Sequence, residues 1–288
     1  MEQMYDHLIC LHGLRFHFRD WPCPKADAQD LVLLHGFTGH ARSWDVFAQA
    51  MSTDYRVLAL DQRGHGETEW APPDQYGTTH MVADLKAFVA ALGLDRFVLL
   101  GLSMGGNVAI HYAGAQPAAL DRLVIVDIGP EIMSSGLHRI DQGVQAKDIF
   151  SSPEEAFAAA RAANPLPPEA HHRQRVMHNL MRLQDGMWTY RYDRVLRDPN
   201  HRRSRPSAEE GWQAVARINV PTLLIRGELS DILARDQAER MARDIVDCRL
   251  VEVSGSGHSV PLDQPDGFLE AVRGFLTSEP MATPVATG

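Results

Sequence analysis

Residues 97–114 read FVLLGLSMGGNVAIHYAG, and three kinds of local structure follow one another in them. Phe97–Leu100 is an unbroken apolar run of strand length, and Met104–Gly114 has the apolar spacing of a helix. Between them lies Gly101-Leu102-Ser103-Met104-Gly105, a G-x-S-x-G sequence. In a strand–turn–helix setting its glycines make room for a sharp turn. That turn pushes the Ser103 oxygen out above the sheet edge and aims the Met104 N–H at whatever the oxygen attacks. The bland alternative, a tight turn with a bystander serine, explains the glycines but not the strand and helix on either side.

Working outward, short apolar runs alternate with segments of helical period on both sides of this stretch. Strands are expected near Leu31–His35, Arg56–Leu60, Phe97–Gly101, Leu123–Asp127, Thr222–Arg226 and Arg249–Val253. Leu8–Leu11 and Arg15–Phe18, joined through Gly13, read as a hairpin ahead of them. A helix over Thr79–Leu92 places Met81, Val82, Leu85, Phe88, Val89 and Leu92 on one face. A last helix is expected over Gly267–Leu276. The pattern predicts an α/β chain with a mostly parallel eight-stranded sheet flanked by helices.

The rhythm breaks over residues 131–219, where helical patches recur at Pro153–Ala163, opened by Ser152 as N-cap, and at Pro168–Leu183. This stretch is read as an inserted helical cap. Residues 1–130 and 220–278 then form the core, and residues 279–288 a flexible tail. The spacing of the chemistry-bearing residues agrees: 128 residues separate Ser103 from a candidate acid at Asp231, but only 27 separate Asp231 from His258.

Composition narrows the function classes. The chain has 288 residues, 44% of them hydrophobic, which is enough for a sizeable core. Lys and Arg number 28 against 37 acids, a formal charge of -9, so no basic nucleic-acid footprint is present. Three cysteines, Cys10, Cys23 and Cys248, lie far apart and fit a reducing compartment better than a disulfide scaffold. No basic n-region precedes a long apolar stretch, and the apolar runs are strand-length, so a cytoplasmic chain without a membrane span is expected.

A serine hydroxyl is a weak nucleophile at neutral pH and needs a base, which in turn needs an orienting carboxylate. Asp231 follows the strand Thr222–Ile225, and His258 follows the strand Arg249–Val253. Ser103, Asp231 and His258 therefore fall just past successive strands, on the edge where open α/β sheets place their sites. Asp127 also follows a strand and is the alternative orienting acid.

Through these segments the chain resembles an α/β-hydrolase of the capped, esterase-like kind over roughly Leu8 to Leu276. The order Ser103, Asp231, His258 matches that family's nucleophile, acid and histidine. His35-Gly36-Phe37, Asp61-Gln62-Arg63-Gly64-His65-Gly66 and Gly257-His258-Ser259-Val260-Pro261 resemble its other characteristic loops. The resemblance implies an oxyanion hole from the backbone N–H groups of Phe37 and Met104. It implies structural bracing by His35, Asp61 and Arg63, and it prefers Asp231 over Asp127, although some relatives carry the acid at the earlier strand.

The expected activity is that of a serine esterase, a carboxylesterase or lactonase cleaving a small, largely apolar substrate through an acyl-enzyme. The alternatives are a C–C bond hydrolase of ring-cleavage dioxo acids, with Arg42 or Arg191 holding a carboxylate, and a cofactor-free haloperoxidase or perhydrolase. A small-ligand receptor on the same fold is the reading from a different class. Phe37, Met104, Met187 and Trp188 are the candidate substrate contacts. His171-His172, beside Arg173 and Arg175, reads as a solvated helix face and not as a metal site. No metal, cofactor or nucleic-acid partner is expected.

Overall fold

The computed structural model describes residues 4–198 and 204–278; the expected tail, 279–288, lies outside them. In chain order the strands are β1 (Tyr5–Leu11), β2 (Leu14–Trp21), β3 (Asp30–Leu34), β4 (Arg56–Leu60), β5 (Phe97–Leu102), β6 (Leu120–Val126), β7 (Ile149–Phe150), β8 (Leu180–Arg182), β9 (Trp188–Tyr190), β10 (Thr222–Gly227) and β11 (Cys248–Val253). The helices are α1 (Asp45–Met51), α2 (Thr78–Ala91), α3 (Met104–Gly114), α4 (Ser134–Gln145), α5 (Pro153–Ala163), α6 (Glu169–His178), α7 (Ala208–Val215), α8 (Arg235–Asp244), α9 (Val260–Asp263) and α10 (Pro265–Leu276).

Eight strands form one sheet in the order β1-β2-β4-β3-β5-β6-β10-β11. The first hairpin turns through His12 and Gly13, both at positive φ (50° and 79°), the pairing a two-residue turn of the primed type requires. From β4 onward every neighbouring pair is parallel. Such strands are covered on both faces, which is why they read as nearly continuous Leu/Val/Ile runs.

Their side chains still alternate. Val32, Leu34, Leu58, Leu60 and Leu99 join one core layer with residues of α2, α3, α7 and α8. Leu31, Leu33, Val57, Ala59, Val98 and Leu100 join a second layer under α1 and α10. The two layers hold the parallel strands so that their carboxyl ends open on one edge, and His35, Ser103, Asp127, Asp231 and His258 all follow those ends.

The inserted segment differs from the expected helical cap in two respects. It contains a three-stranded antiparallel sheet, β7-β9-β8, whose β8–β9 turn includes Asp185-Gly186. With α5 and α6 this sheet encloses its own small core of Phe150, Ala156, Phe157, Val176 and Leu180. The boundary at 219 is also too late. Helix α7 packs on α3, placing Ala214, Val215 and Ile218 in the main core. A side chain at Gly114 would collide with Ala214, so the two helices meet closely. Among the described residues, no helix is long and apolar enough to cross a membrane.

Candidate active site

Ser103 sits between β5 and α3 at φ 53°, ψ −113°, a conformation that costs energy in any residue with a side chain. The fold holds it there: Ser103 N–H donates to the Val126 carbonyl at 3.0 Å, and Asn107 N–H donates to the Ser103 carbonyl at 2.8 Å. The motif's glycines are sterically required. A Cβ on Gly101 would overlap the Gly105 carbonyl, and one on Gly105 would overlap the Leu34 carbonyl.

The Ser103 hydroxyl lies 2.8 Å from Nε2 of His258. On the far side of the ring, Nδ1 lies 2.7 Å from Oδ2 of Asp127. Asp127 is fully buried and at positive φ (49°), which turns its carboxylate toward the histidine loop. Its Oδ1 accepts from Gly227 N–H at 2.9 Å, and its Oδ2 also accepts from the Ser230 hydroxyl at 2.5 Å. Ser230 is itself fixed by accepting from Ile232 and Leu233 N–H. Donors therefore surround the carboxylate, and His258 Nδ1 completes the set as the donor facing it.

The expectation that Asp231 orients His258 is corrected here. Asp231 is engaged by Arg139 of α4, with Nε to Oδ2 at 2.5 Å and Nη2 to Oδ1 at 2.7 Å. Burial alone would raise its carboxyl, but that fork and its charge hold it below the usual carboxylate range. Its neighbour Ser230, not Asp231, reaches into the relay. The signal for Asp127 was available in its position directly after β6, beside β10 in the sheet; its left-handed backbone was not.

The loop that carries Phe37 is braced as expected. His35 Nε2 accepts from Gln62 N–H at 3.0 Å, and its Nδ1 donates to the Gly36 carbonyl at 2.8 Å. Burial lowers the pKa of this ring, consistent with a neutral brace. Asp61 accepts from Ala41 N–H at 2.5 Å and Glu67 N–H at 3.0 Å, and it pairs with His17 at 2.7 Å. Arg63 forks onto the buried Asp84 at 2.6 and 2.7 Å. The backbone at Gly36 passes close to Ser103, since a Cβ there would lie 3.3 Å from that of the serine. Met104 begins α3, so its N–H has no intrahelical acceptor.

Cap residues come down on both loops. Asn179 donates to the Thr38 carbonyl at 2.9 Å, and His40 Nε2 meets the Arg175 carbonyl at 3.1 Å. On the other side Asn164 donates to Asp263 at 2.9 Å, whose second oxygen accepts from Gly257 N–H at 2.9 Å, immediately before His258.

Trp188 packs against the cap's own core, and the Met187 carbonyl accepts from Leu183 N–H across the β8–β9 turn. The aromatic surface over Phe37 is built by Tyr192, 6.4 Å from its ring centroid, with Tyr190 stacked on Tyr192 at 5.7 Å. Arg191 is used by the Leu180 carbonyl, and Arg42 approaches Asp6. Helix α6 does not present a solvated face throughout, because His172 is buried edge-on to Phe157 and Arg175 turns inward.

Comparison with known proteins agrees with this architecture. A family model described as the alpha/beta hydrolase fold matches residues 31–265. The 3-hydroxybutyrate-oligomer hydrolase of Cupriavidus necator is 29% identical over 267 residues, spanning 88% of this chain and 90% of its own. An esterase of Mycobacterium tuberculosis is 29% identical over 258 residues, 87% of this chain and 84% of its own. The crystal structure of an alpha/beta hydrolase from Novosphingobium aromaticivorans matches with a TM-score of 0.84 at 28% identity, covering 96% and 99% of the two chains. The chain belongs to the α/β-hydrolase fold family.

Proposed function

We propose that the protein is a serine hydrolase of carboxylic esters or lactones, with Asp127 in place of Asp231 as the third member of the triad. The observation that carries this reading is the unbroken hydrogen-bonded chain Ser103–His258–Asp127, with contacts of 2.8 and 2.7 Å. His258 Nε2 accepts the Ser103 proton as the oxygen attacks the ester carbonyl. The ring becomes a cation at that moment, and the Asp127 carboxylate, held by Gly227 and Ser230, stabilises it without taking the proton. The carbonyl oxygen gains negative charge and is met by the N–H groups of Phe37 and Met104. One such donor is typically worth roughly 3–4 kcal/mol of barrier.

His258 then returns its proton to the leaving alcohol, and a water activated by the same ring releases the acid from Ser103. The names of two relatives, an esterase and a 3-hydroxybutyrate-oligomer hydrolase, support hydrolysis of this kind.

The test is turnover of short-chain p-nitrophenyl esters and lactones by the wild type and by Ser103→Ala, with a fluorophosphonate label read by mass spectrometry. Activity and labelling that vanish together in Ser103→Ala are expected. A wild type that neither turns over the panel nor takes the label overturns the reading.

A further inference from the structure

Phe37 and Thr38 are the central residues of a tight turn, because Gly39 N–H donates to the Gly36 carbonyl at 2.9 Å. Thr38 takes the turn's third position at φ 61°. That conformation favours glycine and is costly for a β-branched residue. The turn is kept by contacts from outside it.

The cap supplies one of them. Asn179 caps the C-terminus of α6, where its N–H donates to the Arg175 and Val176 carbonyls and its own carbonyl accepts from Arg191 N–H. From that fixed backbone its Nδ2 donates to the Thr38 carbonyl at 2.9 Å. The side chain is only 4% exposed, and its Oδ1 has no partner among the described residues. An amide with one end unpaired in the interior is a poor choice for cap stability alone, since an apolar side chain of similar shape avoids that cost.

The hydrogen bonds join end to end. Thr38 C=O and Gly39 N–H belong to one peptide, and Gly36 C=O and Phe37 N–H to another. A trans peptide is planar, with its C=O and N–H pointing in opposite directions. Asn179 Nδ2 therefore holds the Thr38–Gly39 peptide from one side, and that peptide's N–H holds the Gly36–Phe37 peptide in turn. His35 Nδ1 reaches the same Gly36 carbonyl at 2.8 Å. With its carbonyl fixed twice, the second peptide aims the Phe37 N–H in one direction. Donation along such a chain also polarises each successive N–H.

We propose that Asn179 is a positioning residue for the reaction: through two peptide units it sets the aim and the donor strength of the Phe37 N–H toward the oxyanion. The proposal deepens the serine-hydrolase reading and rests on it, with Phe37 as an oxyanion donor. Its effect is felt when the carbonyl oxygen becomes charged, and not when the neutral ester binds.

A linear 1,1,1-trifluoro-2-alkanone and the matching 2-alkanone separate these two states. Ser103 Oγ adds to the fluorinated ketone's carbonyl carbon, its proton passes to His258 Nε2, and the hemiketal oxygen carries the negative charge that the Phe37 N–H meets. The plain ketone binds without that addition. Ki for both is measured against turnover of a p-nitrophenyl ester by the wild type, Asn179→Leu and Asn179→Val.

Either substitution removes the donor to Thr38. Deleting a whole oxyanion donor costs roughly 10²- to 10³-fold, so misdirecting one is expected to weaken the fluorinated ketone, and to lower kcat/KM, by roughly 5- to 30-fold. The plain ketone is expected to change by less than about twofold. Ki is read on the molecules that turn over, so a smaller folded fraction does not alter it, and two side chains of different shape guard against one that does not fold. A ratio of the two Ki values that stays at its wild-type level in the variants overturns the proposal and leaves ester hydrolysis standing. A wild type that neither cleaves the ester nor binds the fluorinated ketone removes the hydrolase reading and this one with it.

Discussion

Replacing Asp127 by Asn tests the assignment of the acid with one atom changed. The side chain is fully buried, and Oδ2 receives two donors, His258 Nδ1 at 2.7 Å and Ser230 Oγ at 2.5 Å. Asn can keep the Gly227 hydrogen bond on its oxygen, but its NH2 then faces those two donors. The histidine is driven to the tautomer that cannot accept the Ser103 proton, and the imidazolium loses its counter-charge. In a serine protease triad the equivalent change lowers kcat about 10⁴-fold, near 5 kcal/mol, and a loss of about 10³- to 10⁴-fold is expected here. Asp231→Asn removes only a partly exposed ion pair with Arg139, and a change of less than about tenfold is expected. Initial rates on a p-nitrophenyl ester, normalised to the folded fraction measured by circular dichroism, separate the two variants. If Asp231→Asn abolishes activity while Asp127→Asn stays within tenfold of wild type, the assignment is refuted.

Other expectations rest on the same structure. Gly101→Ala drives a methyl group into the Gly105 carbonyl and should cost roughly 3 kcal/mol or more, read as a fall in urea midpoint or as insolubility. Burial lowers His40 to about 3 and His172 to about 4. Their contribution to stability is therefore full above the unfolded value of 6.5 and is lost as pH falls below it. Between pH 6.5 and 5 these two groups should together remove roughly 3–4 kcal/mol, measured as a falling urea midpoint. A flat profile across that window contradicts their neutral burial.

The parts of the fold that were legible in the sequence are those set by local pattern. Two-sided burial makes β3, β5 and β10 read as apolar runs, and the steric demands at Gly101 and Gly105 make the serine turn visible as a motif. The acid was harder to read because β6 and β10 are neighbours whose carboxyl ends reach the same edge. Sequence order and loop length are compatible with either carboxylate. The choice is made by the positive φ of Asp127 and by Arg139, which arrives from α4, 92 residues before Asp231. The cap's strands span only two or three residues and leave no alternation to detect. Arg175 lies in EAHHRQRVMH, a polar helix whose inward side depends on how the cap seats on the core.

The cap is fastened to the core at the loops that carry the chemistry. His40 meets the Arg175 carbonyl, Asn179 holds the Thr38 carbonyl, and Asn164 shares Asp263 with the residue before His258. Raising α6 far enough to admit a bulky molecule must break the first two contacts together, which removes support from the segment that directly follows Phe37. On the proposed mechanism, any movement that widens the entrance under α6 also loosens the loop that presents the Phe37 N–H, so admission and bond cleavage make opposing demands on the same contacts. Variants that loosen these fastenings should trade slower chemistry for faster exchange.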